Sequence, residues 1–178
     1  DIPSLTQKKT KKKNVIIKAK ATAAQSKHTA KACEYQMHGA AEKCVERYLE
    51  LAEKTHKDLK KVTTPCIDDH QLNPEDFVNK GSLAPVASKA VLKCLYLARK
   101  ARPDLIWAVN DLARMVTKWN VACDKRMYRL ICYIHTHKNY SLHCYVGDGA
   151  KDCSLWLFTD ASFAAGTQDS KSTSGVLL

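Results

Sequence analysis

The chain of 178 residues is long enough for one domain, or for one domain and part of a second. Its hydrophobic fraction of 45% permits a buried core, and no apolar run approaches the roughly 18 residues that a membrane span requires. The net charge of +11 is unusual for a globular protein and favours polyanionic partners.

Most of the excess positive charge lies in residues 1–31, which hold nine lysines and one acidic residue. This segment has no apolar periodicity that would fold it, so we predict a disordered basic tail, with a transient strand over residues 14–17. A compact lysine block within it is a candidate nucleic-acid or nuclear-localisation patch. The alternative is a solvated run of charge without a ligand. The block consists of Lys8, Lys9, Lys11, Lys12 and Lys13.

Helical periodicity follows in the middle of the chain. We predict a first helix over 34–61, an extended linker over 62–83, and a second helix over 84–101. A third helix begins after Pro103, and a fourth begins near Asp124. The apolar faces of these helices are expected to form the core, and they contain Ala41, Cys44, Val45, Tyr48, Leu49, Ala87, Val91, Cys94, Leu95, Ala98, Leu105, Val109, Leu112, Ala113, Val116, Met127, Leu130, Ile131 and Ile134.

Three cations lie near the start of the fourth helix, where they can project together: Lys125, Arg126 and Arg129. Such a patch can contact the phosphates of a nucleic acid. The alternative is that these side chains face solvent without a ligand.

The eight cysteines are scattered and form no Cys-x-x-Cys pair. Cys44, Cys94 and Cys132 fall within predicted helices, where a thiol is usually a small apolar core residue. We therefore predict reduced thiols and a cytoplasmic or nuclear location. A zinc site is the weaker alternative, because the adjacent His143 and Cys144 have no matching second pair of ligands.

The C-terminal stretch has the pattern of a strand hairpin. Leu155–Phe158 is a short aromatic-rich run that predicts a buried strand, and Asp160 follows at its end. Residues 166–174 form a polar turn, and residues 176–178 are predicted to pair antiparallel with the first strand. A carboxylate held at a strand end is a suitable ligand for magnesium, although Asp160 can equally cap the strand or the turn.

These residues also carry a resemblance. Phe158-Thr159-Asp160-Ala161-Ser162 and Ser172-Thr173-Ser174-Gly175 resemble the opening hairpin of the ribonuclease H domain in copia-type LTR retrotransposon polyproteins. Arg102-Pro103-Asp104-Leu105 and Leu112-Ala113-Arg114 resemble the segment that joins reverse transcriptase to ribonuclease H in the same family. The resemblance covers roughly residues 44–178.

The resemblance implies an α+β fold. Residues 34–61 would be a thumb-like helix, residues 84–153 a helical connection segment, and residues 154–178 the first antiparallel strands of an incomplete RNase H-like domain. Asp160 would be one of several carboxylates that hold magnesium for hydrolysis of the RNA strand in an RNA–DNA hybrid.

The matches also limit the implied activity. Of the family's magnesium-binding carboxylates, Asp160 is the single one that this chain matches. The Tyr-x-Asp-Asp turn of the family's polymerase palm has no counterpart in this chain. The resemblance therefore implies a fragment or derivative of a reverse transcriptase/ribonuclease H that binds hybrid or duplex, is catalytically incomplete, and does not hold magnesium stably. The alternative is a non-catalytic basic binding or structural subunit with protein partners.

Overall fold

The computed structural model describes residues 6–8, 16–18, 31–147, 149, 151–152, 154, 156–162 and 173–177. Mixed helix and antiparallel strand confirms the α+β prediction at the level of fold class. In chain order the helices and strands are β1 Thr6–Lys8, β2 Ile16–Lys18, β3 Lys31–Tyr35, α1 His38–Leu51, α2 Pro74–Val78, α3 Ala87–Lys100, α4 Ile106–Arg114, α5 Val121–Thr136, β4 Leu142–Val146, β5 Phe158–Ser162 and β6 Thr173–Leu177.

The chain divides into two compact units. The larger unit includes residues 32–144 and therefore holds α1 to α5. The smaller unit includes the strand pairs β1–β2 and β5–β6. None of the helices described is both long enough and apolar enough to span a bilayer.

The four longer helices of the larger unit enclose one hydrophobic core. α1 packs on α3 and α5, and α4 packs on the same two helices. The apolar stripes predicted from the sequence supply this core, because residues three and four apart lie on one helix face. The largest fully buried side chains include Tyr48, Leu97, Leu105, Leu112, Met127, Leu130, Ile131 and Ile134.

The first helix is shorter than predicted. α1 ends at Leu51 rather than at residue 61, and only a short 3-10 turn, His56–Asp58, follows it. Glu53 adopts a left-handed backbone with φ of 52°, and the Lys54 amide donates to the Leu49 carbonyl at 2.9 Å. This is the Schellman arrangement that ends a helix, in a position that glycine usually occupies. Lys57, Lys60 and Lys61, which fall at the end of the predicted range 34–61, therefore lie outside α1.

The predicted extended linker is an ordered part of the larger unit. Residues 62–83, here called the docking segment, contain the 3-10 turn Asp69–Gln71 and the helix α2. The segment runs along α5 in the opposite direction. At one end the Val62 amide donates to Thr136 Oγ1 at 3.3 Å, and at the other Asn120 Nδ2 donates to the Phe77 carbonyl at 3.2 Å.

The docking segment crosses the start of α5 at close range. The Gly81 amide donates to the Trp119 carbonyl at 3.2 Å. Beyond the crossing, the Asp124 carboxylate accepts from the Ser82 amide at 2.6 Å and from Trp119 Nε1 at 2.6 Å. A side chain at position 81 would place its Cβ 2.5 Å from the Asn120 carbonyl oxygen. The crossing therefore requires a residue without a Cβ.

Two predictions about strands are corrected. The tail was expected to be disordered, but residues 6–8 and 16–18 form the antiparallel pair β1–β2; its remaining residues before Lys31 lie outside the described part of the chain. Trp156, Leu157 and Phe158 were expected to be buried in a strand, but all three are exposed, and β5 begins only at Phe158. A two-stranded hairpin offers little surface against which to bury them. Leu155 lies outside the described residues.

The predicted C-terminal hairpin itself is confirmed. β5 pairs antiparallel with β6, and Asp160 is opposite Gly175 in the register. The strands are shifted by a few residues from the expected 155–158 and 176–178, as is common for strand ends that are defined only by turn residues.

Gly81→Ala is expected to lower the free energy of unfolding by about 1–3 kcal/mol, because the added methyl group would overlap a backbone carbonyl that cannot move aside independently. The matched control is Gly39→Ala in α1, where a Cβ meets nothing within 4 Å. That variant should be neutral or more stable by at most about 1 kcal/mol. Urea unfolding followed by circular dichroism measures both. Equal stability of the two variants would contradict the close crossing.

Candidate nucleic-acid interface

The three cations of α5 that were predicted to contact phosphate lie on the side of the helix that carries the docking segment. Lys125 Nζ donates to the Asp76 carboxylate. Arg129 Nε donates to the Thr64 carbonyl at 2.9 Å, and its Nη2 donates to Thr64 Oγ1 at 2.8 Å. Each of these two side chains therefore holds a different part of the docking segment against the helix.

Arg126 is the most enclosed of the three. Its guanidinium group donates to Asp69 of the docking segment and, at 3.0 Å, to Asp111 of α4. The Phe77 ring lies 5.8 Å from the guanidinium carbon. Burial alone would lower the pKa of Arg126, but the hydrogen bond to Asp69 and the charge of Asp111 outweigh it and raise that pKa.

These contacts mean that the predicted phosphate-binding cations have partners within the same chain. The two carboxylates beside Arg126 are 35% and 18% exposed, so the ion pairs are only partly shielded from water. Lys125 is 42% exposed and retains access to solvent. The hydrogen bond from Lys125, followed by that from the Asn73 amide, lowers the pKa of Asp76 and keeps this carboxylate charged.

The three carboxylates that complete this arrangement were not predicted from the sequence. Asp69, Asp76 and Asp111 are about 57, 49 and 15 residues from their partners along the chain. Asp69 and Asp76 lie in the stretch that was predicted to be an extended linker. A signal available in the sequence was opposite charge, because acidic residues of the predicted linker complement the basic start of the fourth predicted helix.

Arg126→Ala is expected to lower the free energy of unfolding by about 1–3 kcal/mol, because it leaves two partly buried carboxylates without their shared partner. Backbone amides of residues 62–83 should also exchange with solvent faster. Arg99→Ala, which removes an exposed arginine from α3, is the control and should change stability by less than about 0.5 kcal/mol. Chemical unfolding and hydrogen-exchange mass spectrometry test both statements. An equal loss of unfolding free energy in the two variants would show that the Arg126 contacts do not contribute to stability.

The remaining predicted site residues lie in the smaller unit or outside the described residues. Asp160 is at the centre of β5 and is exposed. Lys8 is in β1, whereas positions 9 and 11–13 are not described. In the described part of the chain, no group of three or more His, Cys, Asp and Glu side chains is arranged to hold a metal ion. Asp160 is thus at the centre of a strand rather than at the strand end predicted from the sequence, and its role as a metal ligand stays a prediction.

A pocket that the sequence did not suggest lies between α1 and the end of α5. Its volume is about 280 Å³, and its lining consists of Glu42, Val45, Glu46, His56, His135 and Lys138. The His56 and His135 rings are 5.6 Å apart, and Lys138 pairs with Glu42 at 3.1 Å. Burial, then the positive charges of His56 and Lys138, lower the pKa of His135 below its usual value of 6.5.

The lowered pKa of His135 predicts a pH dependence of stability. As the pH falls below about 6.5, the unfolded chain takes up a proton at this imidazole while the folded chain does not. The free energy of unfolding should therefore decrease between pH 6.5 and the lowered pKa. His135→Gln should show a smaller decrease. Chemical unfolding at about pH 7.5 and about pH 5.5 measures this decrease in the free energy of unfolding. His70→Gln, at an exposed position, is the control. An unchanged decrease in His135→Gln would contradict the assignment.

Comparison of this chain with protein-family models, with curated protein sequences and with solved structures gives no match.

Proposed function

We propose that this chain is a piece or derivative of a copia-type reverse transcriptase/ribonuclease H and that it binds RNA–DNA hybrid or duplex. The observation that carries the proposal is the register of β5 and β6, in which Asp160 of the first motif is directly opposite Gly175 of the second. Two sequence motifs that resemble one hairpin of that family therefore do pair as a hairpin. Asp160 is exposed, as are its neighbours Thr159 and Ala161, so its carboxylate is accessible to a metal ion or a substrate.

In this proposal the helical body of residues 38–136 is a structural connection rather than the principal phosphate-binding surface. Arg126 and Arg129 are engaged by the docking segment, and a polyanion would have to compete with those partners. The lysine-rich region before Lys31 then supplies most of the binding. Each phosphate that a lysine neutralises releases counterions, so affinity should depend steeply on salt.

The single matched carboxylate sets the expected chemistry. Two-metal hydrolysis needs several anionic oxygens around each ion, and Asp160 provides one carboxylate. In this proposal magnesium belongs to the complete site of the family, and this chain alone binds hybrid without cutting it.

The test is a mobility shift on duplex and hybrid across a salt series. The parent is expected to show a log–log slope on the order of −4 to −5, which corresponds to about five engaged lysines. Replacing Lys8, Lys9, Lys11, Lys12 and Lys13 by glutamine should weaken binding and flatten the slope by most of that amount. Incubation of labelled hybrid with magnesium should leave it intact for both the parent and Asp160→Asn.

A charge-matched variant controls for net charge. It replaces five exposed lysines of the helical body by glutamine, at positions 57, 60, 61, 89 and 93. This variant should bind nearly as the parent does. If it flattens the slope as much as the tail variant, binding reflects overall charge alone. Hybrid cleavage that Asp160→Asn abolishes would instead show that the site is complete enough for catalysis.

A second candidate function, a non-catalytic structural subunit, is favoured by a separate observation. Four large apolar side chains on two successive helices are exposed: Leu92 and Tyr96 in α3, and Ile106 and Trp107 in α4. Leu92 and Tyr96 are one helical turn apart and therefore share a face. Exposed apolar groups in such a number are more typical of protein contacts than of phosphate contacts.

A further inference from the structure

The strand before the first helix and the strand after the last helix are neighbours. β3 precedes α1, β4 follows α5, and the two strands form a hydrogen-bonded pair. Cys33 is the central residue of β3, and Cys144 is the central residue of β4. When two strands of five residues pair over their whole length, their central residues are opposite each other in either direction.

Two side-chain contacts fix the direction of the pair as antiparallel. His143 Nε2 lies 3.9 Å from Glu34 Oε1, and His38 Nε2 lies 3.4 Å from Ser141 Oγ. His38 is four residues after Glu34, whereas its partner Ser141 is two residues before His143. The chain therefore advances on one side as it goes back on the other, which is the arrangement of antiparallel strands. Glu34 opposite His143 leaves Cys33 opposite Cys144.

Both thiols are on the accessible face of this strand pair. Along β3 the side chains alternate, with Ala32 buried, Glu34 half-buried, and Cys33 exposed between them. Cys144 is exposed as well. Directly opposite residues of an antiparallel pair have Cβ atoms about 4.5–5.5 Å apart, and a disulfide needs about 3.5–4.5 Å, so a small adjustment is sufficient.

We propose that Cys33 and Cys144 are a redox-active pair that closes reversibly to a disulfide. The oxidant is a low-molecular-weight disulfide. The thiolate of one cysteine attacks it, forms a mixed disulfide and releases one small thiol. The second thiolate then attacks the protein sulfur of the mixed disulfide, forms the Cys33–Cys144 bond and releases the other small thiol. Two protein thiols are oxidised, and one small disulfide is reduced to two thiols.

The disulfide would join the two ends of the larger unit. It would close a loop of about 110 residues, and a cross-link over a loop of that length restricts the unfolded chain strongly. The reduced thiols that the sequence predicts correspond to the open, dithiol state of Cys33 and Cys144. The proposal is independent of nucleic-acid binding, because it depends only on the placement of β3 and β4.

The test uses the full chain, incubated under native conditions with oxidised glutathione and then blocked with an alkylating reagent. Peptide mapping by mass spectrometry should find Cys33 joined to Cys144, with a mass lower by two hydrogen atoms and with the chain still monomeric. The thermal midpoint of the oxidised chain should rise on the order of 5 °C and return after reduction. Cys33→Ser and Cys144→Ser should each abolish both effects.

A second measurement on the reduced protein does not depend on oxidation. Phenylarsine oxide condenses with two adjacent thiols and releases water, so the chain should bind one equivalent that is lost in Cys33→Ser and in Cys144→Ser. Cys66→Ser, at a partly buried position, is the matched control and should behave as the parent in both measurements. A disulfide that maps to any other cysteine pair, separate glutathione adducts at Cys33 and Cys144, or arsenical binding that survives both serine variants would overturn the proposal.

Discussion

The docking segment on α5 is the constraint on which the rest of the larger unit depends. Residues 62–83 have few apolar side chains, so they cannot fold by burial alone. Besides the buried side chains of Leu72 and Leu83, they are held by polar contacts spaced along the helix, from Val62 at Thr136 to Ser82 at Asp124. α5 meets α1 and α4 on its apolar side, and the docking segment occupies its basic side.

Arg126 connects these two sides. Its guanidinium group forms ion pairs with two carboxylates, one on the docking segment and one on α4. A guanidinium group suits this position because its planar fork directs separate N–H groups at two acceptors. A lysine would provide a compact charge without that geometry, and it would hold the two acidic residues in less defined places.

The helices that could be predicted from the sequence are those with an unbroken apolar stripe. α3, α4 and α5 are within a few residues of their expected bounds, since periodicity alone marks the buried face. The end of α1 could not be predicted, because Glu53 occupies the left-handed position after the helix. A glycine at that position would have indicated the helix end in the sequence. The strand pair β5–β6 was predictable from its turn, but the exposure of Trp156 and Leu157 was not, because burial depends on layers that no local pattern reveals.

The candidate site, too, could be predicted from the sequence only in part. Sequence alone identified Lys125, Arg126 and Arg129 as neighbours on one helix, and they are. It could not identify their partners, because Asp69 and Asp76 are brought to them only by the path of a segment with no periodic pattern. A basic patch on a helix therefore predicts where charge lies, and the question of whether that charge is free for a ligand is decided by tertiary structure.

The pairing of β3 with β4 also has a mechanical consequence. The polypeptide enters and leaves the helical body, residues 38–136, through these neighbouring strands, so tension applied to the chain beyond them acts on the strand pair before it reaches any helix of that body. In an antiparallel pair loaded at its open end, the hydrogen bonds carry the force one after another, and the strands unzip at low force. The helical body behind them would remain folded, because none of its contacts lies in the direct line of pull until the pair has opened.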